Sequence, residues 1–79
     1  MNKQEVLTSL QAIFEDVLKI KNMAISEEMQ AKDVDNWDSL NHALLIDAIE
    51  KHFDISFDLM DMISMNTVGE ICDKILIKR

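Results

Sequence analysis

The stretch Trp37-Asp38-Ser39-Leu40-Asn41-His42-Ala43-Leu44-Leu45-Ile46-Asp47-Ala48-Ile49-Glu50-Lys51-His52-Phe53 decides the fold. Beyond Leu40, apolar residues return at Ala43, Leu44 and Ala48, and on a neighbouring stripe at Leu45, Ile49 and Phe53. Spacings of three and four place them on one side of an amphipathic helix. Asp38 and Ser39 stand where an N-cap belongs, and Lys51 and His52 fall in the last turn, where cations suit the negative end of the helix dipole. Ser39 is therefore expected close to the positive end of this helix and partly exposed. Ser and Asp are both preferred caps, so the plainest reading of Ser39 is a helix cap. The same position would also stabilise a phosphate ester on the serine oxygen, through backbone N–H groups and the macrodipole.

The rest of the chain reads as further helices around this one. Its 79 residues allow a single domain, 1–79, with a small core. No proline and one glycine suit helices and leave little material for tight hairpins. Asn2 with Glu5 three residues later forms a capping-box pair, and Val6, Leu7, Leu10, Ile13, Phe14, Val17 and Leu18 follow as a broad apolar stripe, with Lys19 and Lys21 near its end. From Asn22 to Trp37 the period is lost. Met23, Ile25, Met29 and Val34 lie among polar residues, which predicts an ordered loop pinned to the core, with a short turn after Ser26. A loop this long in a small domain is often functional. Asp58 is the expected cap of a short third helix with Leu59, Met62 and Ile63 turned inward and Met60, out of phase, exposed. Thr67 and Glu70 make a capping box for the last helix, whose buried stripe is Val68, Ile71, Cys72 and Ile75 and whose end carries Lys78 and Arg79.

Asp38-Ser39-Leu40, the following Ile46, Ile49, Glu50 and Phe53, and then Ile55 and Phe57 resemble the second-helix signature of acyl and peptidyl carrier proteins. The order of elements extends that resemblance over nearly the whole chain. It implies an all-α four-helix bundle of acyl-carrier type with a long first loop and a short third helix. In that family the serine after the aspartate, here Ser39, receives a 4′-phosphopantetheine arm from coenzyme A. The arm's thiol carries acyl or aminoacyl cargo as thioesters, and the carrier itself performs no catalysis. The partners implied are a phosphopantetheinyl transferase, an acyl- or aminoacyl-loading ligase and downstream transferases or synthases, in fatty-acid-like, polyketide, secondary-metabolite or surface-glycan biosynthesis. The same resemblance makes Leu40 a contact for partner enzymes, and Asp38, Asp47, Glu50 and Met60 are expected to share that docking surface. Trp-Asp-Ser-Leu-x-His, with Leu44 and Lys51 interrupting the acidic helix, is more similar to stand-alone bacterial carriers than to housekeeping fatty-acid carriers.

Charge fits such a role. From Glu27 to Asp61 ten acidic side chains face only Lys32 and Lys51, a net of −8, whereas the remainder is +1, giving the overall −7. A negative field around Ser39 repels nucleic acid and anionic membranes and steers basic protein surfaces toward the serine. Charge runs are also simply solvated faces, and the two readings are compatible. One cysteine cannot form an internal disulfide, no leader-like or membrane-spanning run is evident, and a soluble, monomeric, cytoplasmic protein is expected.

Several residues invite other chemistry. Cys72 lies on an apolar stripe and reads as a packed thiol. His42, three residues after Ser39, suggests a Ser–His pair, but a hydrolase also needs an orienting acid and an oxyanion hole; a surface residue near the arm or a partner is the simpler reading. Asp33, Asp35 and Asp38 lack the third oxygen ligand and the glycine of a calcium loop, so no dedicated metal site is expected, and the resemblance implies only transient magnesium near Asp38. Met60, Met62 and Met65 could line a site for a tethered chain or simply fill core. Trp37 is expected to pack the loop end against the second helix. The alternative to a carrier is an unmodified acidic helical adaptor gripping a basic partner helix.

Overall fold

A computed structural model describes residues 2–21 and 24–78. Met23 of the first loop and Arg79 at the end of the chain lie outside the described residues. Helix α1 (Lys3–Leu18) starts where the Asn2 side chain accepts the Glu5 N–H at 2.8 Å and the Glu5 carboxylate accepts the Asn2 N–H at 3.1 Å. This reciprocal box satisfies two donors that a helix N-terminus otherwise leaves unpaired. The expected stripe of α1 points inward: Val6, Leu10, Ile13, Phe14 and Leu18 are buried, and Leu7 and Val17 pack at its margin.

Helix α1 packs against both α2 (Ser39–Phe53) and α4 (Val68–Lys78). Leu45, Ile46, Ile49 and Phe53 of α2 and Val68, Ile71, Cys72 and Ile75 of α4 complete the core. Ala43 and Leu44 instead face solvent and Ala48 packs at the margin of the core, so the core stripe of α2 is the second one. Fully burying one such Leu or Ile is worth about 1.5–3 kcal/mol, and Leu45→Ala would cost about 2–5 kcal/mol because a cavity adds to the lost transfer energy.

The loop between α1 and α2 is held at many points. Lys19 ends α1 in the left-handed region at φ 56°, and Asn36, at φ 68°, donates its side-chain amide to the Leu18 carbonyl at 2.8 Å. That bond satisfies a carbonyl left open by the helix end. Gln11 accepts the Ile25 N–H at 2.8 Å, while the Met29 and Glu27 carbonyls accept the Val68 and Gly69 N–H groups. Lys3 bridges Glu27 and Asp73 at 2.8 and 2.9 Å, which joins the loop to α1 and α4. Ile20, Ile25, Val34 and Trp37 are buried, so the loop is part of the core, as its scattered apolar residues predict. The turn after Ser26 is present, and a single 3₁₀ turn at Ala31–Asp33 is an addition to the sequence reading.

Helix α3 (Leu59–Ser64) corrects it. Asp58 caps as expected, in a reciprocal box with Asp61, but the apolar face points outward: Leu59 is 71% and Ile63 62% exposed, and Met62 is exposed as well. The buried side chain of α3 is Asp61, which meets Lys78 at 2.8 Å and Lys74 at 3.3 Å on α4. Periodicity identifies which residues share a face and leaves open which face is covered. Here two lysines one turn apart on α4 select the carboxylate face, and Met65 returns to the core just after the helix. No helix among the described residues is long and apolar enough to cross a membrane.

Candidate functional site

At the mouth of α2, Asp38 has an extended backbone and its carboxylate accepts the Asn41 N–H at 2.8 Å, while its carbonyl accepts the His42 N–H at 2.8 Å. Asp38 is thus the N-cap, and Ser39 is the first helical residue, exposed and outside the capping arrangement. The N–H groups of Ser39 and Leu40, in the same first turn, have no intrahelical acceptor. A cavity of about 500 Å³ opens there, lined by Ala31, Trp37, Asp38, Ser39, His42, Met62, Met65 and Asn66. It lies between the start of α2 and the end of α3.

Trp37 forms the back of this site. It is buried, edge-on to Phe14 at 5.1 Å, and its indole N–H donates to His42 Nδ1 at 3.0 Å, with the two rings nearly parallel. It therefore packs the loop end against α1 as well as pairing with the second helix. His42 is half-buried, and burial pushes its pKa below the ordinary value. An indole can only donate, so Nδ1 must be unprotonated and the neutral ring carries its proton on Nε2. This arrangement argues against a Ser39–His42 hydrolase. Such a base would donate from Nδ1 to a carboxylate and accept the serine proton at Nε2, the reverse of what Trp37 imposes.

The other expected site residues fall on two stretches of surface. Leu40 is 72% exposed, and Leu44 and Asp47 follow it at helical spacing; Asp47 pairs with Lys51 at 3.0 Å. On α3, Met60 is 73% exposed, as its phase predicts, beside Leu59 and Ile63. Glu50 differs. It is half-buried, and its carboxylate accepts the Phe57 N–H at 2.7 Å, anchoring the α2–α3 loop. The sequence signal for this was weak: a carboxylate one turn before a helix end, followed by a loop whose N–H groups need acceptors. Among the described residues, no group of three or more His, Cys, Asp or Glu side chains could hold a metal ion.

A family model described as the phosphopantetheine attachment site matches residues 8–75. The chain belongs to this family. This carrier protein is also similar to the solution structure of a holo acyl carrier protein from Geobacter metallireducens, with 35% sequence identity and a TM-score of 0.85 over 91% of this chain and 83% of that one. No curated protein matches it. It is a carrier protein of the acyl carrier type, a non-catalytic domain whose covalent group is 4′-phosphopantetheine. The residues present fit that group. An exposed primary hydroxyl stands at the first position of a helix, whose first-turn N–H groups and dipole suit an anion, with an open cavity alongside.

Proposed function

We propose that Ser39 carries the 4′-phosphopantetheine arm and that this protein holds acyl or aminoacyl groups for delivery to partner enzymes. The observation that supports this best is the division of labour at the α2 N-terminus: Asp38 caps the helix, and Ser39 is thereby left at its exposed first position. When attached, the arm supplies a thiol on a long tether, where cargo is held as a thioester and presented at raised effective concentration. The chain's own residues position and steer. The first-turn N–H groups of α2 and the helix dipole favour the charge of a phosphate on Ser39. The exposed Leu40 and Met60, with Asp38 and Asp47 around them, form the surface offered to a phosphopantetheinyl transferase, a loading ligase and downstream transferases or synthases. Acidic docking of this kind gives fast and salt-sensitive encounter. The expected setting is the cytoplasm, with the protein acting as a monomer in a biosynthetic pathway of the fatty-acid-like, polyketide, secondary-metabolite or surface-glycan kind.

The test is an intact mass after incubation with coenzyme A and a broad-specificity phosphopantetheinyl transferase. One phosphopantetheine is expected on the parent and none on Ser39→Ala. Equal gain on both proteins would move the attachment site elsewhere. No gain on a folded parent would instead favour an unmodified adaptor, whose exposed α3 face grips a basic helix.

A further inference from the structure

The phosphate position beside Ser39 has an electrostatic problem. Asp38, one residue away, brings a carboxylate of like charge and already uses the Asn41 N–H. Among the described residues, no lysine or arginine lines the adjoining cavity to offset it. His42 lies three residues after Ser39 on the same helix, where side chains are about 5–6 Å apart at Cβ, and it lines the same cavity. Its Nδ1 is occupied by the Trp37 indole N–H, which fixes the proton of the neutral ring on Nε2. The pair is rigid because Trp37 is itself buried edge-on against Phe14.

We propose that His42 Nε2–H is the hydrogen-bond donor for the phosphodiester formed on Ser39, with Trp37 as the positioning residue that fixes its tautomer. The inference rests on the attachment reading above and goes beyond it by naming the side chain that holds the arm's first atoms. A neutral donor suits this place. It binds an anionic oxygen without adding a fixed positive charge to the acidic surface that meets partner enzymes. Among the cavity-lining residues, Asp38 is the other ionisable group, and its charge favours a proton on the imidazole just as the phosphodiester would. Protonation would make Nδ1 a donor and break the Trp37 bond, so the pair resists it.

The test uses the whole chain labelled with ¹⁵N histidine, before and after loading, with intact mass recorded on the same samples. Before loading, His42 should show an unprotonated Nδ1 and a protonated Nε2. After loading, the Nε2–H resonance should shift, and the midpoint of the His42 titration should move up. The ³¹P resonance of the loaded protein should change in His42→Leu and stay near the parent's in His42→Gln, which keeps both an acceptor and a donor. Trp37→Phe should mix the two tautomers; if it fails to fold, the His42 pair still decides. A full mass gain with His42 resonances, titration and ³¹P shift all unmoved would overturn this proposal and leave Ser39 as the attachment site. No mass gain would overturn both.

Discussion

Glu50 is the residue where a docking role and a structural role compete, and its substitution separates them. Its carboxylate receives the Phe57 N–H at 2.7 Å in a half-buried setting, just before the Phe57 ring enters the core. Glu50→Ala leaves that N–H without a partner, at about 1–3 kcal/mol, and a value near 2 fits a short bond to a charged acceptor. For a domain of this size each kcal/mol moves the melting midpoint by about 4–8 °C, so Glu50→Ala should melt roughly 10 °C below the parent. Glu50→Gln keeps an acceptor oxygen and loses the charge, and should cost about 1 kcal/mol. Thermal and urea unfolding followed by circular dichroism would give both numbers, and hydrogen exchange at the Phe57 amide would locate the change. A Glu50→Ala protein within about 0.5 kcal/mol of the parent, with the Phe57 amide still protected, would refute the reasoning. Slow loading of Glu50→Lys is therefore evidence about docking only when Glu50→Gln, still folded, is slowed too.

Four other outcomes follow from the same geometry. Asp38→Asn keeps a good cap, within a few tenths of a kcal/mol, but should load more slowly at low salt; rates equal to the parent's at every salt concentration would remove Asp38 from the docking surface. Gly69→Ala should destabilise by about 1 kcal/mol, because overpacking of about 1–3 kcal/mol outweighs a helix-propensity gain near 1. The new Cβ would stand 3.1 Å from the Glu27 carbonyl oxygen, which the Gly69 N–H holds in place, and a raised melting midpoint would contradict this. The Asp61 carboxyl is lowered from 3.8 to about 2 by the Lys78 ammonium, then by the Asp58 N–H and Lys74, against the opposing effect of burial. A folded-state value below the unfolded one means stability fully present above the ordinary value and lost as pH falls through 3.8 toward 2, a loss that Asp61→Asn should flatten in acid unfolding curves. Burial, with the Glu27 charge adding to it, pushes the Cys72 thiol up to about 11, so native protein should resist alkylation at pH 8 and react once unfolded; rapid native labelling would mean that α4 opens readily.

The helices were legible because their signals are local. Asn2 with Glu5 closes its box within one turn, Asp58 caps its own helix, and the α1 and α4 stripes fix their own inward faces. Thr67 and Glu70 show the limit of such signals. The threonine hydroxyl accepts the Glu70 N–H at 3.1 Å, but the Glu70 carboxylate takes the Asn66 N–H instead of completing the box. The orientation of α3 was misread because six residues show two faces of equal length, and the deciding groups, Lys74 and Lys78, lie on another helix. At the site, Asp38-Ser39-Leu40 marked the helix start. The Trp37–His42 bond was not legible: the partners stand five positions apart across a loop-to-helix junction, and no spacing rule encodes a bond whose geometry is set by Phe14.

The inverted third helix gives the molecule two kinds of attachment with different thermodynamic signatures. Detaching α3 exposes little new apolar surface, because Leu59, Met60 and Ile63 already face water. Such a step carries a small heat-capacity change and varies little with temperature. The side-chain contacts that tie it to α4, Asp61 with Lys74 and Lys78, are ionic and yield to screening. The bundle of α1, α2 and α4 has the opposite character: apolar burial weakens on cooling and is far less sensitive to simple salts. Cold therefore loosens the bundle before the short helix, and brine loosens the short helix before the bundle.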